Sequence, residues 1–307
     1  MKKEELFPRF NGFSYTPILG GYEKGVTRRD PSPVIMYNRL YYVRYSRTTV
    51  HQHGYTATIW YATSKDGYEW TEQKQALPRG GQGTFDEHAV FTPSIFIWNN
   101  KFYMSYTGVP EPFYNGVYMG HKTTTKTAIG LAMANSPEGP WTKLSQNPIL
   151  VPSENPDLFD SLRVDDSCFV VRGNKIFMYY KGRQIDRTPG ETKMGLAIAE
   201  KPEGPYVRVS EQPIVKGGHE VCCWPHGTGV ATMFCNIGEA GNSLQYSKNG
   251  IDFTKICDVV PPQAPGPYRE DNFSGGTGPG IRWGISIKSG EDGWPYLVRF
   301  DCDLSTS

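Results

Sequence analysis

Four residues of types suited to acid–base chemistry stand at the starts of apolar, strand-like segments. Asp30 opens Arg29-Asp30-Pro31-Ser32-Pro33-Val34, and Asp165 lies in Val164-Asp165-Asp166-Ser167-Cys168-Phe169. Between them, Phe91-Thr92-Pro93-Ser94-Ile95-Phe96 has a threonine at the corresponding place. A further segment opens on Gly217-Gly218-His219-Glu220 and runs into Val221-Cys222-Cys223-Trp224-Pro225-His226. An unpartnered aspartate leading into a run such as Pro33-Val34-Ile35-Met36-Tyr37 would be costly to bury, so these positions are expected to carry function. The bland alternative for each aspartate is a turn or strand cap, since Asp before Pro or Ser commonly caps. Carboxyl groups around one concave pocket suit glycoside hydrolysis. One group protonates the leaving oxygen and another activates a water on the opposite face of the sugar. Unequal burial can set their pKa values apart, as the two roles require.

These residues can meet only if the chain brings distant segments to one axis, and a repeat supplies the means. An apolar strand ending in aromatics, a small-residue strand, a turn and an aromatic recur along the chain. The copies are NRLYYVRYS…TIWYATSKDGYEW from Asn38, NKFYMSYTG…AIGLAMANSPEGPW from Asn100 and NKIFMYYKG…KMGLAIAEKPEGPY from Asn174. Weaker copies start at Thr228 and Arg282. Self-similarity at this period marks a β-propeller with one small sheet per repeat, and five copies predict an all-β, five-bladed propeller. Residues 1–27 are expected to be an irregular lead-in and residues 28–307 one propeller domain. Residues 71–90 read as a long connection between the first two repeats. Glu138 and Glu203 sit in the matching turns Pro-Glu-Gly-Pro of repeats two and three, which makes them turn residues rather than acids of a site.

Composition narrows the class. Aromatics make up 13% of the 307 residues, with 34 Gly and 24 Pro, as turn-rich β structure requires. A net charge of +1 offers no face able to neutralise a run of phosphates, so nucleic acid is not an expected partner. No apolar stretch reaches the length of a membrane-spanning helix. Lys2 and Lys3 are not followed by an apolar segment of the kind that directs secretion. A cytoplasmic protein is expected, or a periplasmic or secreted one whose leader has been removed. The six cysteines form no C-x-x-C pair and read as free, mostly buried thiols rather than zinc ligands. Trp60, Tyr106 and Trp224 are candidates to stack on a sugar ring, although packing between blades would use them equally well.

Taken together, Arg-Asp-Pro-Ser-Pro, Val-Asp-Asp-Ser, Gly-His-Glu before an apolar-Trp-Pro strand, and the closing WGISI…WPYLVRFD resemble glycoside hydrolase family 117. That family is related to the five-bladed propellers of families 43 and 62. The resemblance covers nearly the whole chain from Arg28. It implies an exo-acting, inverting α-1,3-(3,6-anhydro-L-galactosidase) acting on neoagaro-oligosaccharides. By resemblance Asp30 is the general base, Asp165 holds the reacting sugar, and His219 beside Glu220 supplies the general acid, Glu220 itself being the rival. Thr92, His121 and Asp166 are implied sugar contacts. No cofactor is implied for the chemistry, but a hydrated divalent cation in the central channel is, with His226 as its protein ligand. Members of that family carry an N-terminal helical segment exchanged between subunits. The 29 residues before Asp30 show no helix pattern, so the exchanged dimer is not expected here.

Three other readings remain open at this stage. A family 43-like arabinosidase, xylosidase or galactosidase would use the same carboxylates. A glycoside phosphorylase would replace the water-activating base with a basic phosphate pocket. A non-catalytic carbohydrate-binding propeller would need the aromatics but not the acids.

Overall fold

The computed structural model describes residues 2–112, 124–238 and 240–306, whose regular secondary structure is almost wholly antiparallel strand. The first repeat forms a sheet of Thr27–Arg29, Leu40–Thr48, Thr58–Ser64 and Trp70–Leu77, with Ile35–Tyr37 also pairing with Leu40–Thr48. The second comprises Ala89–Trp98, Lys101–Val109, Ala128–Ala134 and Thr142–Lys143, and the third Arg163–Arg172, Lys175–Arg183, Lys193–Ala199 and Val207–Arg208. This is the β-propeller expected from the repeat. The hydrogen-bonded sheets number four rather than five. The fourth unit (Gly217–Gly227, Gly229–Gly238, Ser243–Ser247, Thr254–Asp258) joins the fifth (Gln263–Pro267, Gly278–Ser289, Pro295–Ser305, Ser14–Pro17) in one eight-stranded sheet. The join is short, pairing His226 with Pro279 and Gly227 with Gly278.

The two chain ends share the last unit. Ser14–Pro17 pairs antiparallel with the C-terminal strand, Ser14 opposite Asp301 and Pro17 opposite Val298. Residues 1–27 are therefore not irregular throughout, as the sequence suggested. They hold this outer strand and a single helical turn, Lys3–Leu6. Such a strand had no visible signature, because its four residues contain no apolar alternation and its only partner lies at the far end of the chain. On the inner side, Val34 ties the first unit to the last: its N–H donates to Pro267 O at 3.0 Å and its carbonyl accepts from Arg269 N at 2.9 Å.

Local chemistry repeats with the fold. In Ser64-Lys65-Asp66-Gly67, Asp66 Oδ1 accepts the N–H groups of Tyr68 and Glu69, and Ser64 Oγ accepts that of Gly67. Ser247 and Asn249 make the matching bonds to Gly250, Ile251 and Asp252 one hairpin of the fourth unit away. These side-chain-to-backbone bonds fix the turns between the third and fourth strands. The strand Trp70–Leu77 occupies most of the first half of residues 71–90, which the sequence left as a connection. The remainder places Phe85 and Asp86. Phe85 stacks on Tyr106 with centroids 6.0 Å apart, and Lys143 Nζ lies 2.6 Å from Asp86. The third unit repeats the device with Phe159 on Tyr180 at 6.1 Å and Arg208 at 2.8 Å from Asp160. These buried carboxylates anchor outer strands and stand outside the chemistry. Glu138 is exposed in its turn and accepts a hydrogen bond from Tyr42 OH at 2.9 Å. Cys222 and Cys223 face different core clusters, as alternation in a strand demands, and Cys168, Cys222, Cys223, Cys257 and Cys302 are free thiols.

Candidate active site

The site is built by a backbone device used once in every repeat. The innermost strand of each unit carries, within it or at its end, one non-glycine residue with positive φ: Asp30 (51°), Thr92 (46°), Asp166 (47°), Glu220 (63°) and Ala264 (46°). In repeats two to five the strand register slips there, between Phe91 and Ser94, Asp165 and Cys168, His219 and Cys222, and Gln263 and Gly266. In the first repeat the inner strand breaks between Arg29 and Ile35. A bulge re-aims one side chain out of the alternating pattern. Left-handed φ at a non-glycine residue is strained, and such strain collects at functional sites. Here it turns five side chains toward one cavity at the centre of the ring, which all five line. Gly218 helps place the fourth of them. Its φ is +97°, and a Cβ there would run into the ring of Phe234.

The device corrects the sequence register in two places. Asp166, rather than Asp165, is the equivalent of Asp30 and Thr92, and Glu220, rather than His219, is the equivalent in the fourth repeat. A small residue stands two positions further on in every repeat, at Ser32, Ser94, Cys168, Cys222 and Gly266; at that spacing it separates Glu220 from His219, which Val221 follows, but not Asp166 from Asp165, which Ser167 follows. Asp165 and His219 instead precede the bulge and line an adjoining cavity of about 490 Å³. Thr92, Asp166 and Glu220 line both cavities. The outer cavity also contains Arg29, Tyr55, Arg163, Lys181, Arg183 and Thr192, none of which the sequence reading singled out. Their signal was charge in an inner or second strand that is otherwise apolar, as in Tyr179-Tyr180-Lys181-Gly182-Arg183.

Charges in this pocket are strongly organised. Arg29 Nε donates to both oxygens of Asp30, at 2.9 and 3.0 Å, and Ser46 Oγ donates to Asp30 Oδ2 at 3.1 Å. Burial nevertheless raises the Asp30 pKa above the ordinary aspartate value, reinforced by the Asp166 carboxylate, and Arg29 only partly offsets this. Lys181 lies opposite Asp165 in the strand pair and contacts both Asp165 Oδ1, at 3.4 Å, and Asp166. Burial raises the Asp165 pKa. For Asp166 burial acts in the same direction, but the Lys181 ammonium outweighs it and lowers the pKa. Glu220 Oε2 accepts the Ala264 N–H at 2.5 Å, a bond that ties the fourth repeat to the fifth. Thr92 Oγ1 pairs with Thr107 Oγ1 at 2.5 Å.

His219 does not behave as the resemblance implies. A general acid needs its proton near neutral pH, but the Lys181 ammonium and burial lower the imidazole pKa to about 3, with Asp166 compensating only in part. These surroundings oppose the protonated ring that the acid role needs. Its Nδ1 lies 3.3 Å from Thr192 Oγ1, which also donates to Gly218 O at 3.0 Å.

Three other expected contacts are not in the site, and a fourth falls outside the described residues. Trp224 is fully buried in the core with Phe7, Met233 and Phe300, so no sugar can reach it. Trp60 lines neither cavity. Its indole N–H donates to Thr58 Oγ1 at 3.0 Å and the Arg47 guanidinium covers its ring at 4.4 Å. His226 lies six strand positions beyond Glu220, about 20 Å along an extended chain. It sits between Phe7 and Tyr246, with Nε2 donating to Leu6 O at 2.7 Å. Among the described residues no group of three His, Cys, Asp or Glu side chains could hold a metal ion, and a ring nitrogen committed to a carbonyl is a poor ligand. Nε2 is therefore committed, and Nδ1, which has no hydrogen-bond partner, is the atom that would face the implied hydrated cation. His121 lies outside the described residues. Trp224→Ala is expected to cost about 3–5 kcal/mol of stability through the cavity it leaves. Denaturant unfolding checks this. A raised KM with unchanged stability would instead return Trp224 to the sugar site.

A propeller whose inner strands turn three carboxylates into one central cavity belongs with the enzymes that cut glycosidic bonds, and the comparisons agree. The sequence profile of glycosyl hydrolases family 43 matches residues 24–174. Zg3597, a family 117 glycoside hydrolase from the marine bacterium Zobellia galactanivorans, is 29% identical with a TM-score of 0.83, over 97% of this chain and 92% of that one. The catalytic domain of a family 62 α-L-arabinofuranosidase from Coprinopsis cinerea superposes with a TM-score of 0.67 at 11% identity, covering 98% of this chain and 99% of that one. Fructan 1-exohydrolase IIa from Cichorium intybus gives 0.62 at 14% identity, over 97% of this chain and 57% of that one. These last two speak for the fold alone. No curated protein matches the sequence. The chain is a glycoside hydrolase of the β-propeller type, and the resemblance to family 117 read from its motifs is matched by the similarity to Zg3597.

Proposed function

We propose that this glycoside hydrolase is an exo-acting, inverting enzyme. It removes a terminal 3,6-anhydro-L-galactose, or a related galactose-type sugar, from α-1,3-linked neoagaro-oligosaccharides. The observation that carries the mechanism is the convergence of Asp30, Asp166 and Glu220 from three repeats on one cavity, in three different electrostatic settings. The ionised Asp30 carboxylate takes a proton from water as the water oxygen bonds to the anomeric carbon. The glycosidic C–O bond breaks, and Glu220 gives its proton to the departing oxygen. With Oε2 engaged by the Ala264 N–H, that proton sits on Oε1. Asp166, kept ionised by Lys181, stabilises positive charge developing on the ring and accepts hydrogen bonds from sugar hydroxyls. The choice of sugar rests on the likeness to a family 117 enzyme.

Incubation with neoagarobiose, neocarrabiose and a panel of aryl glycosides, followed by NMR, tests the reading. The expected result is release of one terminal monosaccharide whose first-formed anomer is inverted. Retention would make Asp30 a nucleophile rather than a base, and release from none of these substrates would dismiss the sugar assignment. The pH profile carries a second expectation. Because the Asp30 pKa is raised and the base must be ionised, kcat/KM falls on acidification through a pH above the normal aspartate range. His219 is already neutral above about pH 3, so no limb near 6.5 should trace to it. A limb there that disappears in His219→Gln would contradict the charge pattern described.

A further inference from the structure

One side of the outer cavity carries more positive charge than the proposed reaction uses. Arg163 and Arg183 are directly opposite each other on neighbouring strands, two positions beyond the Asp165–Lys181 pair, so all four side chains share one face. Both arginines are buried, Arg163 to 6% and Arg183 to 4% of full exposure, and both line the cavity. Arg29 is committed to Asp30, and Lys181 to Asp165 and Asp166. Arg163 Nε donates to Thr125 O at 3.4 Å. Arg183 makes no ion pair among the described residues, and its Nε and Nη2 have no hydrogen-bond partner. Asp165, on the same face, is a counter-charge to both, but Lys181 shares it, so two like charges side by side out of water are left short of anion. A guanidinium presents paired N–H donors that match the two oxygens of a carboxylate or sulfate. Next to this wall, sharing Thr192 with it, lies a cleft of about 700 Å³ bordered by Arg187, Lys193 and Lys216 against the single acid Glu191. Positive charge thus continues from the cavity to its rim.

We propose that the sugar bound in this cavity carries an oxyanion, a sulfate ester or a carboxylate, held by Arg163 and Arg183. This rests on the reading of the cavity as the sugar site and, within that reading, favours a related galactose-type sugar that bears an anionic group over the neutral 3,6-anhydro-L-galactose. The wall selects against neutral sugars, because they leave the Arg183 donors unpaired. It also separates the anion from the chemistry: Asp30 and Glu220 act at the anomeric carbon, while the guanidinium groups hold a substituent elsewhere on the ring.

Binding, rather than turnover, tests it. Calorimetry on the full wild-type chain, which has no glycosidic bond to cut in these ligands, would compare galactose 6-sulfate, galacturonate and galactose, with inorganic phosphate as a fourth ligand. Charge-assisted hydrogen bonds to two guanidiniums predict at least about tenfold tighter binding of one charged sugar over galactose. Whichever of the two binds identifies the anion as sulfate or carboxylate. In Arg183→Gln the ratio should fall to about one, and in Arg183→Lys it should be partly kept. Equal binding of charged and neutral sugars by the parent protein overturns the proposal without reference to any arginine variant. So does an unchanged ratio in a folded Arg183→Gln, or sugar 1-phosphate formation by the wild type with inorganic phosphate. Loss of hydrolysis on all substrates with the binding ratio intact would count against the hydrolytic reading and leave the anion site standing.

Discussion

Asp30→Asn is expected to lower kcat by about 10²–10⁴-fold, the range that a general base contributes, equivalent to roughly 2.7–5.4 kcal/mol of barrier. Asparagine keeps the shape and the hydrogen bond from Ser46 but cannot take a proton from water. It also leaves the Arg29 guanidinium, now bonded to both oxygens of Asp30, without its counter-charge. A loss of activity alone would therefore not distinguish a missing base from a displaced arginine. Azide does distinguish them, because it is already an anion and needs no base to attack the anomeric carbon. With an aryl glycoside whose leaving group departs unaided, azide should restore turnover to Asp30→Asn and give the glycosyl azide of inverted configuration. If azide restores nothing while the variant still binds sugar, Asp30 positions Arg29 rather than activating water. Normal hydrolysis by the variant would remove Asp30 from the chemistry altogether.

The part of this site visible in the sequence followed from the repeat. A recurrent strand pattern gives the propeller, and the propeller brings strand starts 44 to 74 residues apart to one axis. What the pattern does not carry is the bulge. Asp165 and Asp166 are adjacent and of one type, so nothing about the residue chosen tells which one turns inward. Backbone geometry does, through the positive φ of Asp166 and the register slip between Asp165 and Cys168, and Ser167 and Cys168 are both too small to betray it in the sequence. Trp224 misled for a related reason: an aromatic in an inner strand serves a core face or a ligand face equally well. The cations were missed because Lys181 and Arg183 belong to a second strand, and their meaning depends on which residues lie opposite. Charge in an apolar strand is informative only once the partner strand is known.

The identity of the acid is where electrostatics departs furthest from motif. His219 and Glu220 are neighbours in sequence, yet the bulge sends only Glu220 into the central cavity with Asp30 and Asp166. Lys181, beside His219, makes a second positive charge there unfavourable and keeps the imidazole without its extra proton. Glu220→Gln is therefore expected to reduce kcat by about 10²–10⁴-fold on a substrate with a sugar leaving group. On a dinitrophenyl glycoside, whose leaving group needs no proton, the loss should nearly vanish. His219→Gln should weaken both substrates to a similar degree, because a neutral ring that contacts Thr192 positions the pocket without transferring a proton. Kinetics of the two variants on the two substrates decide the matter. A leaving-group-dependent loss in His219→Gln, with a uniform loss in Glu220→Gln, would give the acid role to the histidine. That outcome would require bound substrate to raise the imidazole pKa by several units against Lys181. Lys181→Gln would then be expected to raise the His219 pKa in the free protein, an effect that histidine NMR titration reads directly.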